Sequence, residues 1–201
     1  MMKKIMFNDK YGLTAAVLKG KKTQTRRLAK LDKLGEYNIN HVRTQPWGEA
    51  TLQAFIKNNA AFKVGEVIAI AQKYSEISWD RTIYDKLKLL IMCDGLLPQY
   101  TLAGWDNKMF VKADLMPHHV RIIKIRIERL QDISDEDCLK EGIWRAEDVG
   151  LKGTTYWYHG LSNSSYRSPQ KAYAALIDRI SGKGTWDDNP IVFVYDFELI
   201  R

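Results

Sequence analysis

Two stretches of alternating apolar and polar residues constrain this chain more than anything else in it. From Arg121 to Leu130, Ile123, Ile125 and Ile127 alternate with Lys124, Arg126 and Glu128, the period of two that sends successive side chains to opposite faces of a sheet. From Ile191 to Ile200, Val192, Val194, Asp196 and Glu198 alternate with Ile191, Phe193, Tyr195, Phe197 and Leu199. Each predicts a strand; the first has one face in the core and a wet, basic face opposite. Shorter apolar runs predict strands at Lys4 to Phe7, at Val67 to Ala71 after a turn at Gly65, and at Lys88 to Cys93, closed by Asp94-Gly95.

Helices are marked by their ends. Leu13, Ala16 and Val17 make an apolar stripe within Lys10 to Lys19, with Asn8 or Asp9 placed to cap it and Gly20 to end it. After the clearest strand, Ser134-Asp135-Glu136-Asp137 has the form of a capping box, and its acidic first turn suits the positive end of the helix dipole. That helix is short, reaching Glu141 and stopping at Gly142. Ser168-Pro169 opens a longer one, carrying Tyr173, Leu176, Ile177 and Ile180 on one face and ending at Gly182-Lys183-Gly184.

Residues 28–62, with Pro46, Trp47, Gly48 and the polar run Lys57-Asn58-Asn59, have weak periodicity and predict a peripheral insertion with one helix. Residues 143–167 predict a second insertion, whose Gly-, Ser-, Thr- and Tyr-rich stretch from Gly150 to Ser168 reads as a long loop. No repeat interrupts the chain. Short strands separated by helices without a regular βαβ rhythm favour α+β or a decorated barrel over a doubly wound sheet. At 201 residues and 45% hydrophobic content, one domain spanning 1–201 is the simplest organisation.

The 31 lysines and arginines against 24 acidic residues give a formal net charge of +7, a field that favours polyanionic partners such as nucleic acid. Cys93 and Cys138 stand far apart with no CxxC or Cys/His spacing, which argues against a disulfide-stapled secreted fold and for a reducing cytoplasm. Only Ile5-Met6-Phe7 follows Met1-Met2-Lys3-Lys4 before polar residues, too short for the apolar region of a signal peptide, and no run approaches a membrane helix in length. His118 and His119 have no Cys, Asp or His at metal spacing, so neither a metal nor a cofactor is expected.

The most charged stretch holds Lys19, Lys21, Lys22, Arg26, Arg27, Lys30 and Lys33 with only Asp32 opposing them. Within it, Gly20-Lys21-Lys22-Thr23-Gln24-Thr25-Arg26-Arg27 combines a helix-ending glycine, a basic cluster and two hydroxyls. A glycine, a basic residue, then Lys-Thr-x-Thr and arginine resembles the signature of the ASCH domain family, which is similar to PUA domains in fold. Val64-Gly65-Glu66 before an apolar strand resembles that family's Gly-Asp turn, and Met116-Pro117 before a strand resembles its phage- and prophage-associated subgroup. The run from Glu128 to Asp137, the pair Glu141-Gly142, and the run from Ile180 to Pro190 before an alternating strand resemble the same subgroup. The matching pieces span nearly the whole chain in order, leaving out 28–62 and 143–167.

The resemblance implies an α+β fold, a PUA-like mixed β-barrel with flanking helices, and a cleft where the Lys-Thr-x-Thr-x-Arg segment meets the glutamate-bearing helix. It implies RNA or a nucleotide- or nucleoside-like ligand. As some small members hydrolyse N4-acylated cytidines, it also implies Lys22 as proton acceptor, Thr25 as nucleophile and Glu141 as proton donor. Residue chemistry allows this independently. A threonine hydroxyl needs a base, and a lysine three residues earlier reaches it if the segment makes one helical turn. Lys21, Arg26 and Arg27, together with partial burial, would favour the neutral lysine that can act as a base. A carboxyl in an apolar cleft can protonate a leaving amine, whereas one surrounded by cations is simply a salt-bridge partner. The cluster also reads as a plain helix C-terminus whose cations complement the dipole.

Lys21, Thr23, Arg26, Arg27, Met116, His118 and Trp144 complete the expected ligand-contacting set, Trp144 because it follows Glu141-Gly142 and could stack a base. The loop bearing Tyr156, Tyr158, His159, Tyr166 and Arg167 could close over a ligand, and the remaining tryptophans are expected in the core. Three functions stay open: an RNA- or nucleotide-binding module, an amidohydrolase for a modified nucleoside (less readily a nuclease), and a phage accessory protein whose partner is a host protein. No membrane partner is expected.

Overall fold

Both alternating stretches form the spine of the fold. A computed structural model of the chain describes residues 2–31, 33–45, 48–77, 80–89, 102–147, 154–159 and 165–200. The strands β1 (Lys4–Ile5), β2 (Gln24–Leu28), β3 (Val67–Ile70), β4 (His119–Arg129) and β7 (Ile191–Ile200) make one five-stranded sheet in the order β1-β3-β4-β7-β2. Only the β1–β3 pair is parallel. A separate hairpin joins β5 (Trp144–Glu147) to β6 (Thr154–Trp157). The fold is mixed α+β. Among the described residues β1 and β2 are the free ends of an open sheet, so the expected closed barrel is not formed there.

The pleat of β4 changes phase once. Ile122 pairs with Phe197 and Lys124 with Asp196, which leaves Ile123 as the extra residue of a β-bulge. Val120 and Ile122 are buried before the bulge and Ile125 and Ile127 after it, while Ile123 is 51% exposed. The expectation that Ile123 shares the core face with Ile125 and Ile127 is therefore corrected at one residue, because one inserted residue inverts every side chain beyond it. On β7, Ile191 through Tyr195 are all buried.

Helix ends follow local chemistry where the caps are strong. Ser134 accepts from the Asp137 amide to start α6 (Asp135–Lys140), and Ser168 accepts from the Lys171 amide to start α7 (Pro169–Ser181); a cap of this kind contributes about 1 kcal/mol. Helix α7 buries Tyr173, Leu176 and Ile177, each worth roughly 1.5–3 kcal/mol in apolar transfer. The helix predicted over Lys10 to Lys19 is split instead: Asp9–Tyr11 is a 3-10 turn, Gly12 takes a left-handed φ of 63°, and α1 runs only from Leu13 to Leu18.

Three other expectations are corrected by packing. The region 28–62 is not peripheral: it forms α2 (Lys33–Arg43) and α3 (Gly48–Asn59), buries Ile39, Ile56 and Phe62 in the main core, and stacks Phe55 on Phe193 with centroids 6.0 Å apart; Pro46 and Trp47 lie outside the described residues. The strand expected at Lys88 to Cys93 is helical where described. Following α4 (Tyr74–Ile77), α5 (Arg81–Leu89) buries Ile83 and Leu87, a spacing of four that suits a helix; residues 90–95 and Trp79 lie outside the description. Much of 143–167 is the β5–β6 hairpin, with Tyr156 bridging to Tyr166 and Tyr158 buried. Short α8 (Thr185–Asp188) precedes β7. No helix among the described residues is long and apolar enough to cross a membrane.

Candidate functional site

The basic segment is shaped by its two anchors. Gly20, at a φ of 68°, turns the chain out of α1, and the amides of Lys21 and Lys22 both donate to the Ala16 carbonyl, at 2.8 and 3.1 Å. The Thr23 amide then donates to Lys140 O at 3.0 Å, and Thr23 O accepts from the Phe197 amide at 2.9 Å. This ties the segment between the end of α6 and β7. Beyond Thr23 the chain is strand, with Thr25 opposite Tyr195 and Arg27 opposite Phe193 on one face, and Gln24 opposite Asp196 and Arg26 opposite Val194 on the other. Neither a helical turn joining Lys22 to Thr25 nor a helix C-terminus carrying the cations is present, because backbone pairing to β7 outcompetes local helix formation. β2 is also the last strand of the sheet, so its outer edge is free among the described residues.

Buried charge gathers at this edge. Lys22 Nζ donates to Glu141 Oε2 at 2.5 Å and to Glu141 O at 2.8 Å; Lys22 is 2% exposed and Glu141 4%. Arg26, also buried, donates to Glu141 Oε1 at 3.2 Å, Glu128 Oε1 at 2.6 Å, Asp137 Oδ2 at 3.1 Å and Gln24 Oε1 at 2.5 Å. Arg126 adds contacts to Asp137, to Glu128 and, at 2.8 Å, to Asp196. Glu141 caps the C-terminal end of α6, and Gly142 follows at a φ of 101°. A Cβ on Gly142 would sit 3.3 Å from Leu13 and 3.7 Å from the Lys22 stem, so glycine lets the helix end close over the lysine.

These surroundings set the protonation chemistry. Burial lowers the Lys22 pKa below that of an ordinary lysine; Glu141 offsets only part of this, while Arg27 and Arg26 push further down. Burial also works against the Arg26 charge, but Glu141 and Glu128 outweigh it and raise its pKa. Asp137 is pushed up by burial and down more strongly by Arg126 and Arg26, for a net lowering. Tyr173, buried beneath the Arg26 guanidinium, has its phenol raised well above the usual value by burial.

Lys22, Thr25, Arg26, Arg27 and Glu141 share the wall of one cavity of about 180 Å³, with Tyr173 and Phe7 among its other lining residues. Among the described residues the Thr25 hydroxyl has no hydrogen-bond partner. Arg27 donates to Met6 O at 2.8 Å and has no carboxylate within ion-pair distance among the described residues. The cavity is smaller than the roughly 300–1,000 Å³ of drug-sized ligand pockets. It suits one flat polar group in contact with a hydroxyl and a buried ion pair.

The other expected contact residues lie elsewhere. Lys21 Nζ sits 3.8 Å over the Trp144 ring, which stacks on Trp157 with centroids 5.3 Å apart, so both rings are engaged away from the cavity. Thr23 is used through its backbone. Met116 is buried in a second apolar cluster, its sulfur accepting from the Gln72 amide at 3.3 Å, and His118 Nδ1 lies 2.7 Å from Gln72 Oε1. Burial, aided by His119, lowers the His118 pKa. His159 packs against Trp144 and Trp157.

Glu128, Asp137, Gln24 and Tyr173 join the site without a sequence pattern that sets them apart. Glu128 shares a strand parity with Arg126, and Asp137 follows a capping serine by three residues. Each of those signals reads locally as a solvated strand face or a helix start. No protein-family model matches the chain, and no curated protein or solved structure matches it.

Proposed function

We propose that this chain is an ASCH-type, PUA-like cytoplasmic protein that binds RNA or a nucleotide by taking one base, or its nucleoside, into the cavity of Lys22, Thr25 and Glu141. The observation that carries the reading is the convergence of these residues: Lys22 and Glu141, 119 positions apart, pair at 2.5 Å on a cavity wall that also bears the unpartnered Thr25 hydroxyl. A base edge presents donors and acceptors side by side, and a hydroxyl next to a lysine–carboxylate pair can satisfy both kinds. Lys22 and Arg26 are already matched by Glu128, Asp137 and Glu141, so phosphate contacts fall to Arg27 and to cations outside the cavity. The salt dependence of RNA binding is therefore expected to be shallow, about 0.7 per phosphate contacted.

A second reading, amidohydrolysis of an N4-acylated cytidine, is favoured by the burial that lowers the Lys22 pKa beside that hydroxyl. In it Lys22 accepts the Thr25 proton, Thr25 attacks the acyl carbon, and Glu141 protonates the departing amine. Both readings are tested together by incubating the protein with N4-acetylcytidine and following cytidine release, with calorimetric titration of cytidine and N4-acetylcytidine alongside. Turnover lost in Thr25→Ala supports the hydrolase. Binding without turnover, weakened in Thr25→Ala, supports the binding module. Neither turnover nor binding removes both.

A further inference from the structure

A second cavity, of about 240 Å³, opens beside the first and shares Arg27 and Leu28 with it. Its remaining wall includes Lys30, Phe55, Asn59 and Phe193. Two adjoining hollows thus run along the free edge of β2, with one arginine in the partition between them. Resting on the base-binding reading above, we propose that the second cavity takes the phosphate and the flanking nucleotide of a ligand whose base fills the first, so that the preferred ligand is an oligonucleotide rather than a free nucleoside.

Charge carries the first part of the argument. The other arginine and the buried lysine of the motif are matched by carboxylates, but Arg27 is not: among the described residues its one hydrogen bond, to Met6 O, leaves most of its five N–H donors free. Lys30, exposed three residues further on, likewise has no ion-pair partner among the described residues. Two unmatched cations, one in the partition and one beyond it, within a region otherwise neutralised internally, suit a bridging phosphodiester.

Ring chemistry carries the second part. Phe55 and Phe193 lie nearly parallel, at an interplanar angle of 11°, and Phe193 is buried while Phe55 stays partly open. Aromatic rings beside cations are the usual means of holding a base without reading its sequence, since every base has a face to stack. Asn59 supplies a polar group on the same wall. The first cavity, with its buried ion pair and hydroxyl, would then select the base, and the second would hold its neighbour with little sequence preference.

The test is calorimetric titration of the whole chain, at one fixed salt concentration, with cytidine, cytidine 3′- and 5′-monophosphates and the dinucleotide CpC. The expected result is a Kd at least about tenfold tighter for the dinucleotide than for the nucleoside, with a monophosphate intermediate. Lys30→Ala and Phe55→Ala are each expected to lose most of the dinucleotide's advantage while cytidine affinity is retained. Lys30 is exposed, so its replacement tests the idea even if Phe55→Ala melts the helix pair. Cytidine binding as tightly as CpC overturns the inference and leaves the base-binding reading standing. A monophosphate matching CpC removes the flanking-base site. No binding of any of the four overturns both.

Discussion

The sheet carries ion pairs at both ends of its central strands, and they differ far more in surroundings than in geometry. At one end Lys22 and Glu141 pair at 2.5 Å with side chains 2% and 5% exposed; at the other, Arg121 and Glu198 pair at 3.0 Å across β4 and β7 with side chains 50% and 53% exposed. Water screens the second pair, which also has to hold two long side chains still, so its net contribution is small. The first has lost its water. Its members persist as charges only because each satisfies the other, and because Arg26, Glu128, Asp137 and Gln24 complete the hydrogen bonds around them. A buried arrangement of this kind is a costly way to stabilise a fold, and that cost is the reason to look for a ligand there.

Breaking the buried pair is expected to give the largest effect. Glu141→Ala leaves the Lys22 ammonium without its carboxylate in a dry site, and urea denaturation should register a loss of about 3–5 kcal/mol. Replacing both partners with apolar residues, Lys22→Met with Glu141→Leu, should recover much of that loss while abolishing cytidine binding. If the double variant is as unstable as the single one, the pair contributes specific structure rather than ligand chemistry.

Asp137 stands between the extremes, and its pH dependence sharpens the contrast. Its folded pKa is lowered, because the effect of Arg126 and Arg26 exceeds that of burial. Its contribution is therefore fully present above the unfolded value of about 3.9 and is lost as the pH falls through the lower folded value. Asp137→Asn should cost about 2 kcal/mol at pH 7, and the gap between the variant and the natural protein should close as both are taken towards about pH 2. A gap that stays constant with pH would mean that the carboxylate charge contributes nothing.

Arg121→Ala should change stability by no more than about 0.5 kcal/mol. A thermal melt at low and high salt checks it. A larger loss would mean that the exposed end of β4 is as constrained as the buried one.

Much of this architecture was legible in the chain. Period-two alternation marked β4 and β7, Ser134 and Ser168 marked the starts of α6 and α7, and Gly142 marked the point where α6 stops, all because strand parity, capping and left-handed glycine are decided within a few residues. The motif likewise brought Lys22, Thr25, Arg26, Arg27 and Glu141 forward as one group, and those five share a cavity wall. The remaining expected contacts were proximity arguments along the chain, and proximity in sequence failed for Trp144, Met116 and His118. Trp144 had a ring partner across a hairpin, and Met116 and His118 were claimed by Gln72.

By itself, then, the sequence determined the central strands, the capped helices and the identity of the polar residues at the edge of β2, because local backbone and side-chain preferences suffice for those. Only the tertiary structure decided that the basic segment is a strand rather than a turn of helix, that Ile123 faces outward, that residues 28–62 belong to the core, and that two of the motif's cations are neutralised from within. Each of these depends on a partner distant in the chain: β7 pairing with β2, the bulge opposite Phe197, Phe193 beneath Phe55, and the carboxylates of Glu128, Asp137 and Glu141. No window of local sequence contains the burial that makes those contacts decisive.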